Sequence, residues 1–384
     1  MTRFRFILLL FLAAMSMLPV SAKRPTGKER VRVGVLLPLK EKTTRGAKMV
    51  EFYQGLLMAV DSMKHAGLNI DIVALHSGNS ANDMDHLLAS NSFADCDVLF
   101  GSLDGAQLPL LADYCDIHGV RLVVPFSSPS ASVLSHPTSY MVSAPRNIVQ
   151  EEAAWIVQNQ FGNDSFVLVD THENNDEGQQ FVEQLRGQLS SKGIYMRPLP
   201  IDGDEMAYFQ AFNSLRKNIV VLNSPSIKAL NKFLPKLKEY LRNHPDVKVS
   251  LLGYPDWQTY TSQLLADFYQ FDTYIYSTFY RNPLEGRNSE FERAFIHHFR
   301  RPMTETYPRY ALMGFDLGYF FLRGLSIYGD GFERNLLNVP ARPFQHPLRF
   351  GTLETDGGHV NGFVQLIHYT PLQTIELLTR TVKP

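Results

Sequence analysis

The chain has 384 residues, of which 45% are hydrophobic, 12% aromatic and 20% charged, an ordinary globular composition with enough apolar mass for a sizeable core. Its 37 Lys and Arg balance 38 Asp and Glu to a formal net charge of -1, which excludes a disordered polyelectrolyte and a protein that grips nucleic acid mainly through phosphates. Two cysteines exclude a disulfide scaffold and a four-thiolate zinc site, and the length suits about two domains.

Arg3 and Arg5 precede an apolar run from Phe6 to Leu18, Pro19 breaks it, and Val20-Ser21-Ala22 supplies a small-x-small cleavage pattern. Residues 1–22 therefore read as a cleavable secretory signal peptide, which places the mature chain in the periplasm. An uncleaved anchor helix is the alternative, but the run is short for a membrane span and Lys23 and Arg24 follow it. No cysteine near the cut offers a lipid anchor, and no later stretch is apolar enough to span a bilayer.

Val31 to Leu37 (VRVGVLL) is a β-branched apolar run, a strand buried on both faces. A helix over 46–66 follows, with Val50, Tyr53, Leu57 and Val60 at helical spacing and Gly67 as its stop. Strands over 69–75, 97–100 and 121–125 alternate with helices over 82–93 and 107–117, an order that predicts a parallel sheet wrapped by helices. Cys96 and Cys115 would then lie at one end of that sheet. In an exported chain, a disulfide and two buried free thiols both remain open.

A second series follows Tyr140–Pro145. Helices over 147–160, 177–189, 205–215 and 227–242 alternate with strands over 165–169, 194–199, 218–222 and 247–252, and Pro235 is a candidate kink. Beyond it come a strand over 272–279, helices over 289–300 and 309–328, and two apolar segments, 348–351 and 362–368. These last two read as a hairpin around the turn Asp356-Gly357-Gly358. The fold class is thus α/β: two doubly wound parallel-sheet lobes joined by a multi-strand hinge.

Six segments, in order, resemble the type I periplasmic binding proteins, the ABC-transporter substrate-binding group that holds the branched-chain amino-acid receptors. VRVGVLLPLK looks like the family's first strand and cleft loop, and YQGLLMAVDSMKHAGLNI like the helix ending in A-V-D before strand two. DVLFGSLDGAQ and RLVVPFSSPS resemble the next two strand–loop units. YPRYALMGFDLGYFFLRGL and LRFGTLETDGGHVNGFVQLIHY resemble the late Y-A-x-x-G-Y-D-A helix and the closing hairpin. The resemblance implies a first lobe of 31–143 plus 280–328 and a second of 147–276 plus 330–384. Crossings would fall near Ser143 to Arg146, near Phe279 to Arg281 and near Gly329. A ligand would be trapped between the lobes by hinge closure.

In open parallel sheets ligands bind beyond the carboxyl ends of the strands, where helix N-termini also point. The ligand-binding candidates are read from those loops. Lys40, with Lys42 and Arg45, makes the first loop basic, either to attract an acidic ligand or as a solvated lip. Ser102, Asp104 and Gly105 form the next, where the amino-acid receptors supply hydroxyls and amides to a ligand carboxylate; Asp104 would instead repel one, or cap the helix itself. Ser127 could donate to a ligand oxygen, and Ser128 before Pro129 has the form of an N-cap and N1 pair. Near the first crossing the receptors carry an acid for the ligand ammonium, whereas this chain has Arg146 and Asn147. On the second lobe the candidates are Asp170, Asn223, Asp256 to pair with a cation, and Tyr254 and Trp257 to stack on a sugar or an apolar side chain. Tyr280, at the second crossing, completes the set.

Catalysis lacks its motifs. The sequence has no G-x-S-x-G, P-loop or H-E-x-x-H, and adjacent His297 and His298 face apart on a helix. No G-x-G-x-x-G follows the first strand, so no nucleotide cofactor is expected, and no metal. Two functions remain. One is a periplasmic receptor that captures a small polar solute (amino-acid-like, peptide or cell-wall fragment) for a membrane transporter or sensor. The other is a partner-binding protein on the same fold. At fold level the chain also resembles the outer-membrane activators of peptidoglycan synthases, which makes a cell-wall synthesis protein the expected partner in that case.

Overall fold

The computed structural model describes residues 27–380, apart from 129, 284 and 354–356. The proposed signal peptide, Pro129 and the turn residue Asp356 lie outside the described residues.

The first sheet begins with β1 (Arg30–Leu37), α1 (Thr44–His65), β2 (Asn69–His76), α2 (Ala81–Ala89), β3 (Val98–Gly101), α3 (Leu108–His118), β4 (Arg121–Val124), α4 (Ala131–Leu134) and β5 (Ser139–Met141). Side chains on β1 serve two cores. Val31, Val33 and Val35 face a cluster with Phe52 and Leu56 of α1, while Leu36 faces one with Met84, Leu111 and Cys115. Burial on both faces explains the uninterrupted apolar run. A capping box between Ser80 and Asp83 starts α2, and Gly119 in the left-handed conformation ends α3.

The second sheet is built by α5 (Arg146–Phe161), β6 (Ser165–Asp170), α6 (Asp176–Ser190), β7 (Met196–Pro200), α7 (Glu205–Ala211), β8 (Asn218–Leu222), α8 (Ile227–Asn243), β9 (Val249–Gly253), α9 (Thr261–Gln270) and β10 (Thr273–Ser277). Pro235 lies inside α8 without ending it. The chain then returns to the first lobe as α10 (Gly286–Phe299) and α11 (Tyr310–Tyr328).

Helix α11 lies against α1 at backbone contact. A Cβ on Gly55 would stand 1.8 Å from the Ala311 carbonyl oxygen, and one on Gly314 would stand 2.0 Å from that of Phe52. Only glycine admits this approach, which buries Phe52 and Leu56 for about 1.5–3 kcal/mol each.

The last strands correct the expected division. β11 (Phe350–Thr352) pairs antiparallel with β12 (His359–Asn361), and β12 pairs with β5, so both belong to the first sheet, order β11-β12-β5-β4-β3-β1-β2. β13 (Gln365–Tyr369) pairs instead with β10 and with β14 (Ile375–Thr379), giving the second sheet the order β14-β13-β10-β9-β8-β6-β7. The segment 348–351 therefore does not form a hairpin with 362–368, and residues 350–361 do not join the second lobe. The third passage between sheets runs through 362–364, not near Gly329, because Phe332 and Leu336 beyond that glycine pack in the first-lobe core. Strand pairing across a loop, which local pattern does not encode, decided this.

Among the described residues no helix is long and apolar enough to cross a membrane. Cys96 and Cys115 are both buried free thiols, which settles the open alternative.

Candidate functional site

Where the carboxyl ends of the two sheets meet, a cavity of about 400 Å³ opens. Its first-lobe wall is apolar and aromatic: Pro125 and Phe126 follow β4, Val142 follows β5, and Tyr310 and Met313 open α11. The Phe126 ring stands 4.9 Å from Phe52 and 5.5 Å from Tyr310, so this wall is fixed by core packing. The second-lobe wall is polar, formed by Arg146 and Gln150 of α5, Glu177 of α6 and Tyr276 of β10.

These polar groups are partly held and partly open. Gln150 donates to the Glu177 carbonyl oxygen at 3.1 Å and its amide lies against the Tyr276 hydroxyl, yet its own Oε1 is buried without a partner. Such a group costs about 1–3 kcal/mol when left unsatisfied, so a ligand that bonds it recovers real stabilisation. Burial pushes the Glu177 carboxyl up, Arg146 pulls it back, and Asp256 pushes it up again. Behind the cavity, buried Asp316 accepts three backbone N–H groups, from Phe344, Gln345 and His346, at 2.7–2.8 Å. That clamp sets His346 at the cavity edge, stacked on Phe279 at 5.0 Å. Burial holds His346 down at about 3, so the ring is neutral at physiological pH.

None of the twelve candidates read from the loops lines this cavity. Lys40, Ser128, Asp170 and Asp256 are exposed. Ser102 is buried and donates to Gln107 at 2.7 Å, and Asp104 accepts from Ala106 within its own turn, next to Gly105. The helix after Ser127 and Ser128 starts later, with Ser130 as N-cap, so Ser128 does not cap it; Ser127 donates to the Leu103 carbonyl oxygen. Asn223 donates to Asp170 at 3.0 Å and accepts from Thr171, so that loop is satisfied internally. Tyr254 and Trp257 have no exposed surface and donate to the carbonyl oxygens of Leu222 and Pro225. They are core residues of the second lobe and present no face to a ligand. Tyr280 lines a different pocket.

Sequence reasoning passed over Gln150 and Tyr276 because they sit inside a helix and a strand at core spacing. The available signal was polarity: an amide and a phenol near the ends of elements that face the crossing. A larger hollow of about 910 Å³ lies between α5 and the β11–β12 edge, where Glu152 pairs with Arg349 and Arg380 and Glu151 is the remaining charge. Among the described residues no group of His, Cys, Asp and Glu is placed to hold a metal ion.

No protein-family model matches the sequence, and no curated protein matches it by sequence. Solved structures do match by shape. The chain is similar to a putative branched-chain amino acid ABC transporter protein from Rhodospirillum rubrum, at 12% identity and TM-score 0.61, over 91% of this chain and 100% of that one. It is similar to a periplasmic ligand-binding protein of a branched chain amino acid ABC transporter from Burkholderia xenovorans, at 12% identity and TM-score 0.50, over 91% and 94% of the two chains. It is also similar to LpoA from Haemophilus influenzae, at 15% identity and TM-score 0.56, covering 92% of this chain and 59% of that one. The shared architecture is the type I periplasmic binding fold, two mostly parallel α/β lobes facing each other across a cleft.

Proposed function

We propose that the protein is an exported, non-enzymatic binding protein that takes a small solute with an apolar body and a polar, charge-bearing head into the interlobe cavity. One observation carries this reading. Buried Gln150, its Oε1 unpaired, and the Tyr276 hydroxyl against its amide stand beside Arg146 and Glu177 on one wall, opposite an apolar wall on the other lobe. A cavity of about 400 Å³ suits an amino acid or short peptide, since small-molecule sites run from roughly 300 to 1,000 Å³. The basic, apolar N-terminal run supports export to the periplasm, and the fold supports hand-over to a membrane transporter or sensor.

Native mass spectrometry of the protein recovered from its own host, joined to a thermal-shift screen of amino acids, peptides and muropeptides, tests this. A ligand at one hundred times its Kd adds about 2.7 kcal/mol of stability. Glu177→Gln and Arg146→Ala should each weaken that ligand by about tenfold. A bare mass together with no shift across the panel refutes the reading.

A second reading, a partner-holding regulator of cell-wall synthesis, is favoured by the loops at Ser102–Asp104 and Asp170–Asn223. Their polar groups are spent on each other, so those rims offer a solute little. Retention of a cell-wall synthesis protein by the immobilised chain, with no small-molecule shift, would decide for it.

A further inference from the structure

On the other side of the second crossing lies a separate pocket of about 320 Å³. Four tyrosines converge on it from four places: Tyr269 from α9, Tyr369 from β13, Tyr280 from the crossing, and Tyr307 from the first-lobe loop before α11. The rings of Tyr269 and Tyr369 stand 5.8 Å apart at 60°. Tyr307 is 42% exposed, its ring packed against Phe279 at 4.9 Å, while its hydroxyl donates to the Gln258 side-chain oxygen.

Two polar groups here are spare. The hydroxyl of Tyr280, a residue only 9% exposed, is buried without a partner, and so is Nε of Arg281. The charges around the pocket are already balanced: Arg281 pairs with Glu292, and Arg309 with Glu305. Burial first, and the neighbouring hydroxyls second, hold Tyr280, Tyr307 and Tyr369 above the ordinary phenol range, so all three are neutral donors. The pocket therefore combines flat aromatic faces, phenol hydroxyls and a spare guanidinium N–H with no uncompensated charge.

We propose that this pocket is a saccharide site, separate from the interlobe cavity, that stacks a neutral sugar ring on Tyr307 and hydrogen-bonds its hydroxyls to Tyr280 and Arg281. A sugar presents a C–H face that packs on an aromatic ring and an equatorial fringe of hydroxyls. An anion would need an unpaired cation here and a peptide ammonium an unpaired carboxylate, and neither is present among the described residues that line the pocket. The volume stands at the low end of the roughly 300–1,000 Å³ range of small-molecule sites, enough for about one or two rings.

The test uses the full chain and four probes: glucose, maltose, N-acetylglucosamine and its β-1,4 disaccharide. Saturation-transfer NMR detects binding and calorimetry measures it. At least one probe should bind saturably. Tyr280→Phe, which removes one hydroxyl, and Tyr307→Ala, which removes an exposed ring, should each weaken it about fivefold. Glu177→Gln, in the interlobe cavity, should leave it unchanged, so this proposal and the cavity reading fail separately. The assignment is overturned if no probe binds, if both tyrosine variants bind as well as the parent, or if Glu177→Gln abolishes binding.

Discussion

At the amino end of β10, an inner strand of the second sheet, Asp272 carries a carboxylate that accepts from Lys217 Nζ at 2.5 Å, Ser250 Oγ at 2.6 Å and His368 Nε2 at 2.6 Å. The His368 ring stacks on Tyr274 at 4.0 Å, and Lys217 Nζ stands 5.5 Å from the same ring, so the donors are themselves held. Burial alone would push the Asp272 carboxyl up; hydrogen bonds from His368, Lys217 and Ser250 outweigh it and hold the group well below the usual carboxylate range. Asp272→Asn is the cleanest perturbation, because the residue sits at φ +48°, a conformation that asparagine tolerates. Three bonds to a charge contribute about 1.5–3 kcal/mol each at most. The amide keeps part of that bonding and Lys217 can rehydrate, so the net loss should be about 2–3 kcal/mol at pH 7. Trp257 lies in the second-lobe core and half-buried Trp155 packs against it, so urea unfolding followed by tryptophan fluorescence reports on this lobe. The sign with pH is set by the depressed folded-state value. The contribution is complete above the unfolded value of about 3.9 and fades as pH falls toward the folded one. The gap between parent and variant should therefore shrink by about 1 kcal/mol between pH 5 and pH 3. A gap below about 0.5 kcal/mol at pH 7, or one that widens over that acid interval, refutes the reasoning.

Tyr254→Phe leaves the Leu222 carbonyl oxygen without its donor and should cost about 1–2 kcal/mol in urea unfolding, with ligand affinity unchanged. Trp257→Ala should cost about 3–5 kcal/mol by circular dichroism, because it empties a fully buried volume. Burial pushes the Cys96 thiol up to about 11 and the Cys115 thiol higher still, so iodoacetamide should label neither at pH 8 in native protein and both in urea; rapid native labelling would contradict the burial. Asp316→Ala removes the acceptor for three backbone N–H groups, and amide exchange across 344–346 should rise about tenfold or more in mass-spectrometric measurement. Unchanged exchange there would mean that the segment is held by other contacts.

Much of the architecture was legible because its signals are local. β1 reads as doubly buried from seven residues, and Gly67 reads as the stop of the first helix, each through chemistry within a few positions. The alternation of such elements yields the α/β class and two lobes. The same locality pointed to loop residues that the fold turns on their own surroundings: Ser102 bonds Gln107, Ser127 the Leu103 carbonyl oxygen, and Asn223 bonds Asp170. Tyr254 and Trp257, polar-tipped aromatics just past a strand, turned inward because carbonyl oxygens waited there for their donors.

By itself, then, the sequence determined the order and burial of the strands and helices, since periodicity and capping act over short stretches of chain. Only the tertiary structure decided that residues 350–361 pair with the first sheet and that Gly55 and Gly314 carry a backbone contact. It also decided that Gln150 and Tyr276 face a cavity instead of a core. Each of these depends on which distant segment lies opposite, and a residue's own neighbours in sequence hold no record of that.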